Sequence, residues 1–138
     1  MIKEAYCSFE VSKLLKEKGF VAQEIYYIYY YYEEDDGYCF EKLLNGNKFD
    51  SKKMVAVPSH QMAMAWLREE KNLIITIDYD RYPVISDENK YKTRIGYGYN
   101  IQTKGNPEDY YGMHSEYVYN SYEEAIEAAL KFCLTKLI

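Results

Sequence analysis

The 138-residue chain reads as one α+β domain spanning 1–138: a mainly antiparallel sheet with three helices, in the order α-β-β-(β)-α-β-β-(β)-α. Three stretches predict this. From Met54 to Tyr79 a short strand, a capped helix and a second strand follow one another almost without loops. From Tyr91 to Thr103 apolar and polar residues alternate with period two, the signature of a strand with one packed face. Near the end, Ser121-Tyr122-Glu123-Glu124 is a capping box that opens a helix with an apolar stripe.

The first helix is expected over Phe9–Lys18, with Ser8 as N-cap and Val11, Leu14 and Leu15 as its apolar stripe, extended by Cys7. Gly19 followed by Phe20 has the form of a Schellman stop, with Phe20 folding back on the last turn. Ile25–Tyr32 is aromatic and β-branched and favours a strand. Asp36-Gly37 marks a hairpin turn, and Tyr38-Cys39-Phe40 returns as its partner. Asn45-Gly46-Asn47 and Ser51-Lys52-Lys53 mark the irregular link to the central unit. There Pro58 stops the strand, Ser59 caps the helix, and Met62, Ala63, Trp66 and Leu67 share its buried face. Asn72 ends it, and Leu73, Ile75, Ile77 and Tyr79 alternate into the next strand.

Ser86–Lys90 is the expected tip of the following hairpin, and Pro83 points to an edge or a bulge. In one antiparallel register Asp78 faces Arg94. Gly96 and Gly98, mid-strand, imply either a bend or close approach by another backbone. Lys104–Gly112 is loop, and Met113–Tyr119 a last short strand. The closing helix buries Tyr122, Ile126, Ala129, Leu130, Cys133 and Leu137, with Glu127 and Lys131 paired four apart on its surface.

A chain of this length buries roughly 65–70% of its unfolded surface, enough for one core. No apolar run reaches the ~20 residues that span a bilayer, and MIKEAYCSFE lacks the apolar segment of a signal peptide, so a cytoplasmic protein without membrane association is expected. Cys7, Cys39 and Cys133 are widely spaced and odd in number, with no Cys-x-x-Cys pair. They read as thiols packed as small hydrophobes, and no metal or cofactor is expected. The net charge of −5 disfavours nucleic acid, whose phosphates call for basic surfaces. From Ser59 onward the order helix–strand–strand–strand–helix resembles a double-stranded RNA-binding domain. Glu123 and Glu124, however, stand where that family places phosphate-gripping lysines.

No nucleophile–base spacing, His-Glu-x-x-His or phosphate loop occurs, so no catalytic residue is assigned and the expectation leans away from an enzyme. The outlying feature is tyrosine, 18 residues, seven of them between Tyr26 and Tyr38. So many hydroxyls cannot all find partners in a small core, and tyrosine suits interfaces. The expected function is a non-catalytic interaction module that self-associates or binds a protein partner through Tyr26, Tyr27, Tyr29, Tyr30, Tyr31 and Tyr32. The rival is a small-ligand or carbohydrate binder, or an enzyme, with its site near His60 or His114. A pocket lined by a histidine and two or more carboxylates would favour the rival.

Three segments, SFEVSKLLKEKGF (8–20), VPSHQMAMAWLREEKNLIITI (57–77) and YNSYEEAIEAAL (119–130), resemble a group of small uncharacterised proteins of Bacteroides-type gut bacteria, their phages and mobile elements. The group carries no activity to transfer. The resemblance implies a phage or mobile-element origin and a cytoplasmic accessory role.

Overall fold

A computed structural model describes residues 3–44, 46–85, 91–105 and 113–138. Helix α1 (Phe9–Glu17) begins where the Ser8 hydroxyl accepts the Val11 N–H at 3.2 Å. It ends in the expected Schellman motif: Gly19 takes φ +95°, Phe20 N–H donates to Leu15 O at 2.9 Å, and Gly19 N–H donates to Lys16 O at 3.1 Å. Phe20 then packs edge-on against Trp66, 5.6 Å between centroids. Strands β1 (Tyr27–Tyr32) and β2 (Gly37–Lys42) form the predicted hairpin, with Tyr32 opposite Gly37. The left-handed turn residue is Asp36, at φ 47°. Strand β3 (Met54–Val57) pairs with the other side of β1, giving an antiparallel sheet ordered β2-β1-β3.

Ser59 caps α2 (His60–Glu70) by accepting the Met62 N–H at 3.1 Å, and Asn72, at φ 56°, turns the chain into β4 (Leu73–Ile85). β4 pairs with β5 (Tyr91–Thr103), and β5 with β6 (Met113–His114), in a second antiparallel sheet ordered β4-β5-β6. Pro83 thus sits on an edge strand, where a missing N–H costs nothing to the ladder. Helix α3 (Tyr122–Phe132) opens on Ser121, whose hydroxyl accepts the Glu124 N–H at 3.1 Å, and runs into a π-helical segment, Cys133–Leu137. The capping-box carboxylate reaches one residue further back than expected: Glu124 accepts the Asn120 N–H. The expected hairpin tip Ser86–Lys90, the Asn45 of the link, and Asn106–Gly112 of the loop lie outside the described residues.

The fold is α+β, with two three-stranded antiparallel sheets and three α-helices among the described residues. α1 packs on β3, α2 on β4 and α3 on β5, and α3 touches both other helices. One core results, built on Val11, Leu15, Ala63, Leu67, Ile101, Ile126, Leu130 and Leu134. Each large member contributes about 1.5–3 kcal/mol by leaving water.

Five expectations need correction. The buried face of α2 is His60, Ala63 and Leu67, while Met62 is exposed, because the helix is rotated to turn His60 inward. Tyr79 and Ile95 are exposed, whereas Gly96, Gly98 and Asn100, on the supposedly solvated face of β5, are buried. They are covered by the segment 115–119: Tyr97 exchanges backbone hydrogen bonds with Tyr119 (2.9 and 3.1 Å), and a Cβ on Gly96 would lie 2.2 Å from Tyr117 O. The mid-strand glycines therefore serve close backbone approach. The β4–β5 register sets Asp78 opposite Gly98, and Arg94 opposite Tyr82. On α3, Tyr122 is largely exposed and Ala125 and Leu134 are buried, while Glu127 turns inward and Lys131 pairs instead with Glu10 at 3.0 Å. Cys7 and Cys133 are buried as expected, but Cys39 is exposed.

Candidate functional site

The arm before α1 lies along the start of α2. Cys7 N–H donates to Pro58 O at 3.0 Å, Tyr6 bridges Ser59, and Ala5 O accepts the His60 N–H at 2.9 Å. His60 is the first residue of α2, so this last bond satisfies one of the amides that a helix start leaves without an intrahelical partner. Glu127, one turn into α3, joins both neighbours. Its Oε1 accepts the Ser8 backbone N–H at 2.8 Å and lies 2.9 Å from His60 Nε2. His60 is buried and Glu127 half-buried, with side chains 5% and 27% exposed. Burial alone would raise the Glu127 carboxyl, but the hydrogen bonds from His60 and Ser8 outweigh it, and its pKa falls below the ordinary value. Glu127 is thus a carboxylate, and His60 donates Nε2–H to it. His60 Nδ1 is buried and has no hydrogen-bond partner among the described residues.

The Cys7 thiol sits beside this pair. A sulfur, an imidazole nitrogen and a carboxylate oxygen from Cys7, His60 and Glu127 lie within 4.8 Å of one another. Burial, then the Glu127 charge, pushes the thiol well above its ordinary pKa, and among the described residues Sγ reaches Ser59 O at 4.0 Å. With Nδ1 unpartnered, no thiol–imidazole hydrogen bond forms. Cys7 is not a poised nucleophile.

Over these residues opens a cleft of about 720 Å³. Tyr6, Tyr29, Phe40 and Tyr119 supply aromatic walls, and Glu123 and Glu124 add two carboxylates to that of Glu127. The walls are braced by ring contacts: Tyr29 meets Phe9 at 5.1 Å and Phe40 at 5.4 Å, and Tyr6 meets Tyr27 at 4.7 Å. Burial raises the Tyr29 phenol, which stays a neutral donor.

Of the two histidines singled out in the sequence, the structure brings only His60 to this cleft; His114 is exposed on β6, opposite Asn100. Of the six candidate interface tyrosines, Tyr29 alone lines it. Tyr27, Tyr29 and Tyr31 share one face of the hairpin with Tyr38 and Phe40; Tyr30 and Tyr32 take the other, and Tyr26 is exposed. Several phenols find carboxylate partners nearby: Tyr26 with Glu24 (2.8 Å), Tyr31 with Asp36 (2.7 Å) and Tyr32 with Glu41. Of these acceptors only Asp36 belongs to the acidic turn. Sequence reasoning missed Cys7, Glu123, Glu124 and Glu127 as site residues. For Glu127 a signal existed: it lies three and seven residues before the buried Leu130 and Leu134.

Compared with known proteins, the chain matches no family model, no curated protein and no solved structure.

Proposed function

We propose that the cleft over His60 binds a small organic cation, such as a quaternary ammonium or guanidinium compound. The observation that carries this reading is the convergence of four aromatic rings and three carboxylates on one cleft of about 720 Å³. That volume suits a small ligand, and in an open cleft each ring face attracts a cation by about 0.5–1 kcal/mol. Glu123 and Glu124 supply negative charge at the cleft, while Glu127 is held ionised by its two donors. A histidine and three carboxylates line this open cleft, which supports the ligand reading ahead of self-association.

The test is an NMR titration with benzyltrimethylammonium and, in parallel, its neutral carbon isostere. Saturable shifts at Tyr6, Tyr29 and Tyr119 from the cation alone, weakened about tenfold in Tyr29→Ala or Glu123→Gln/Glu124→Gln, support it. Equal binding of the isostere, or none of the cation, overturns it.

A second role, contact between copies, is supported by β2. It is a sheet edge, and it exposes Tyr38, Cys39 and Phe40. Such a protein fits the accessory role in a phage or mobile element that the sequence resemblance implies. Sedimentation at rising concentration checks it: a monomer throughout removes the second role and leaves the first.

A further inference from the structure

We propose that Cys7, His60 and Glu127 form a three-ligand site for a divalent transition metal, with zinc as the best match. The inference builds on the cleft reading by giving the cleft a metal floor.

The three side chains come from the arm before α1, the first residue of α2 and the second turn of α3, and so are held by three separate elements. Their donor atoms lie within 4.8 Å of one another. In a tetrahedral zinc site, bonds of about 2.0–2.3 Å place ligand atoms about 3.3–3.8 Å apart, so side-chain adjustments of about an ångström close the set. Thiolate, imidazole and carboxylate together suit zinc better than calcium or magnesium, which take oxygen ligands.

A second observation is the spacing within the pair: His60 Nε2 and Glu127 Oε1 stand 2.9 Å apart, close to the separation of two ligands on one tetrahedral ion. His60 is nine-tenths buried and lines the cleft. On binding, Nε2 turns its lone pair to the ion and the ring proton moves to Nδ1. The Ser8 amide, bonded to Glu127 Oε1, orients the carboxylate.

Charge balance is favourable. On binding, the Cys7 thiol proton leaves to solvent, and thiolate plus carboxylate neutralise a divalent ion. The acidic residues Glu123 and Glu124 therefore keep their charge for the cleft ligand. With three protein ligands the ion retains a coordination position, and all three ligands line the cleft.

The test uses the full chain carrying Cys39→Ser, which removes the exposed thiol, after chelator treatment and under reducing conditions. Cobalt(II) is titrated in and followed by its thiolate charge-transfer and ligand-field absorption, then displaced with zinc. One cobalt per chain with a thiolate band, release of about one proton, and affinity lowered at least about tenfold in Cys7→Ser, His60→Gln and Glu127→Gln support the site. Circular dichroism shows whether each variant folds; should one not, Cys7→Ala in the same background replaces it, since an alanine there only removes the sulfur. Absence of stoichiometric binding, or a thiolate band that survives in folded Cys7→Ser, overturns the metal site. Benzyltrimethylammonium is titrated separately into chelator-treated protein. Loss of cobalt binding with the cation still bound sinks only the metal inference, and cobalt bound with no cation binding sinks only the cleft reading.

Discussion

Substituting alanine at Gly96 tests how the cleft wall is held. The added Cβ would lie 2.2 Å from Tyr117 O and 3.2 Å from Tyr119 O, against a closest real approach of 3.0 Å. The crossing backbone must therefore move by at least 0.8 Å (3.0 − 2.2). If it moves, the paired hydrogen bonds between Tyr97 and Tyr119, now 2.9 and 3.1 Å, are lost or stretched, at about 1 kcal/mol each. If it holds, the strain of an overpacked contact costs a similar amount, about 1–3 kcal/mol. Either way the loss is about 1–3 kcal/mol, which for a chain of this size lowers the thermal midpoint by roughly 3–12 °C. Gly37→Ala is the control, because its Cβ would meet only Asp35 O, at an ordinary 3.7 Å. Thermal unfolding followed by circular dichroism reads both. A Gly96→Ala protein melting within about 2 °C of the parent, no lower than Gly37→Ala, would refute the close-approach reasoning. Because Tyr119 walls the cleft, the same variant should also weaken cation binding.

Other outcomes follow from the same geometry. Glu127→Ala strands the Ser8 amide and His60 Nε2–H without an acceptor and should cost about 3 kcal/mol in denaturant unfolding; Glu127→Gln, which keeps one acceptor oxygen, should cost about 1–2. Folded protein holds the Glu127 proton less tightly than the unfolded chain does. Its stabilisation is therefore complete above about pH 5 and fades as pH falls through 4 and below, so parent and Glu127→Gln stabilities should converge in acid. A maleimide at neutral pH should label one thiol quickly, the exposed Cys39, and the buried Cys7 and Cys133 only on unfolding. Burial pushes the Cys133 thiol up to about 12, and mass spectrometry showing rapid triple labelling of folded protein would contradict this placement.

Local chemistry was legible in the sequence wherever a few adjacent residues decide the outcome. Ser8, Ser59 and Ser121 cap three helices because a serine hydroxyl satisfies a nearby amide whatever the rest of the fold does. Gly19 ends α1 for the same local reason. Alternation placed β4 and β5, but not their register. A shift of pairing moves Asp78 from Arg94 to Gly98 at no local cost, so alternation alone leaves the register open. Which face of α2 goes inward was also undetermined: Met62 and His60 each continue an apolar stripe through Ala63 and Leu67, and only Glu127 on another helix selects His60. The candidate site was least visible. Its members Cys7, His60 and Glu127 are brought together by the packing of the arm before α1 against α2 and α3, and metal-ligand spacing rules look only for neighbours along the chain.

Glu127 also explains why two helix starts can converge beside the cleft. In a capping box, the third residue of a helix returns a carboxylate to the N-cap amide. In α1 that residue is Val11, which cannot, and Glu127 reaches across from α3 to accept the Ser8 amide in its place. The same oxygen takes the imidazole of the residue that begins α2. The starts of both helices thus meet at one carboxylate, which their hydrogen bonds keep ionised, and the start of α1 lies next to the Cys7 thiol. As a brace alone this arrangement is uneconomical. A buried hydrogen bond between a histidine and a carboxylate adds little net stability over apolar packing, and the unpartnered His60 Nδ1 costs about 1–3 kcal/mol that a leucine would not incur. An ion that takes His60 Nε2 and Glu127 Oε1 together, as the metal site has it, gives the pairing a use beyond bracing.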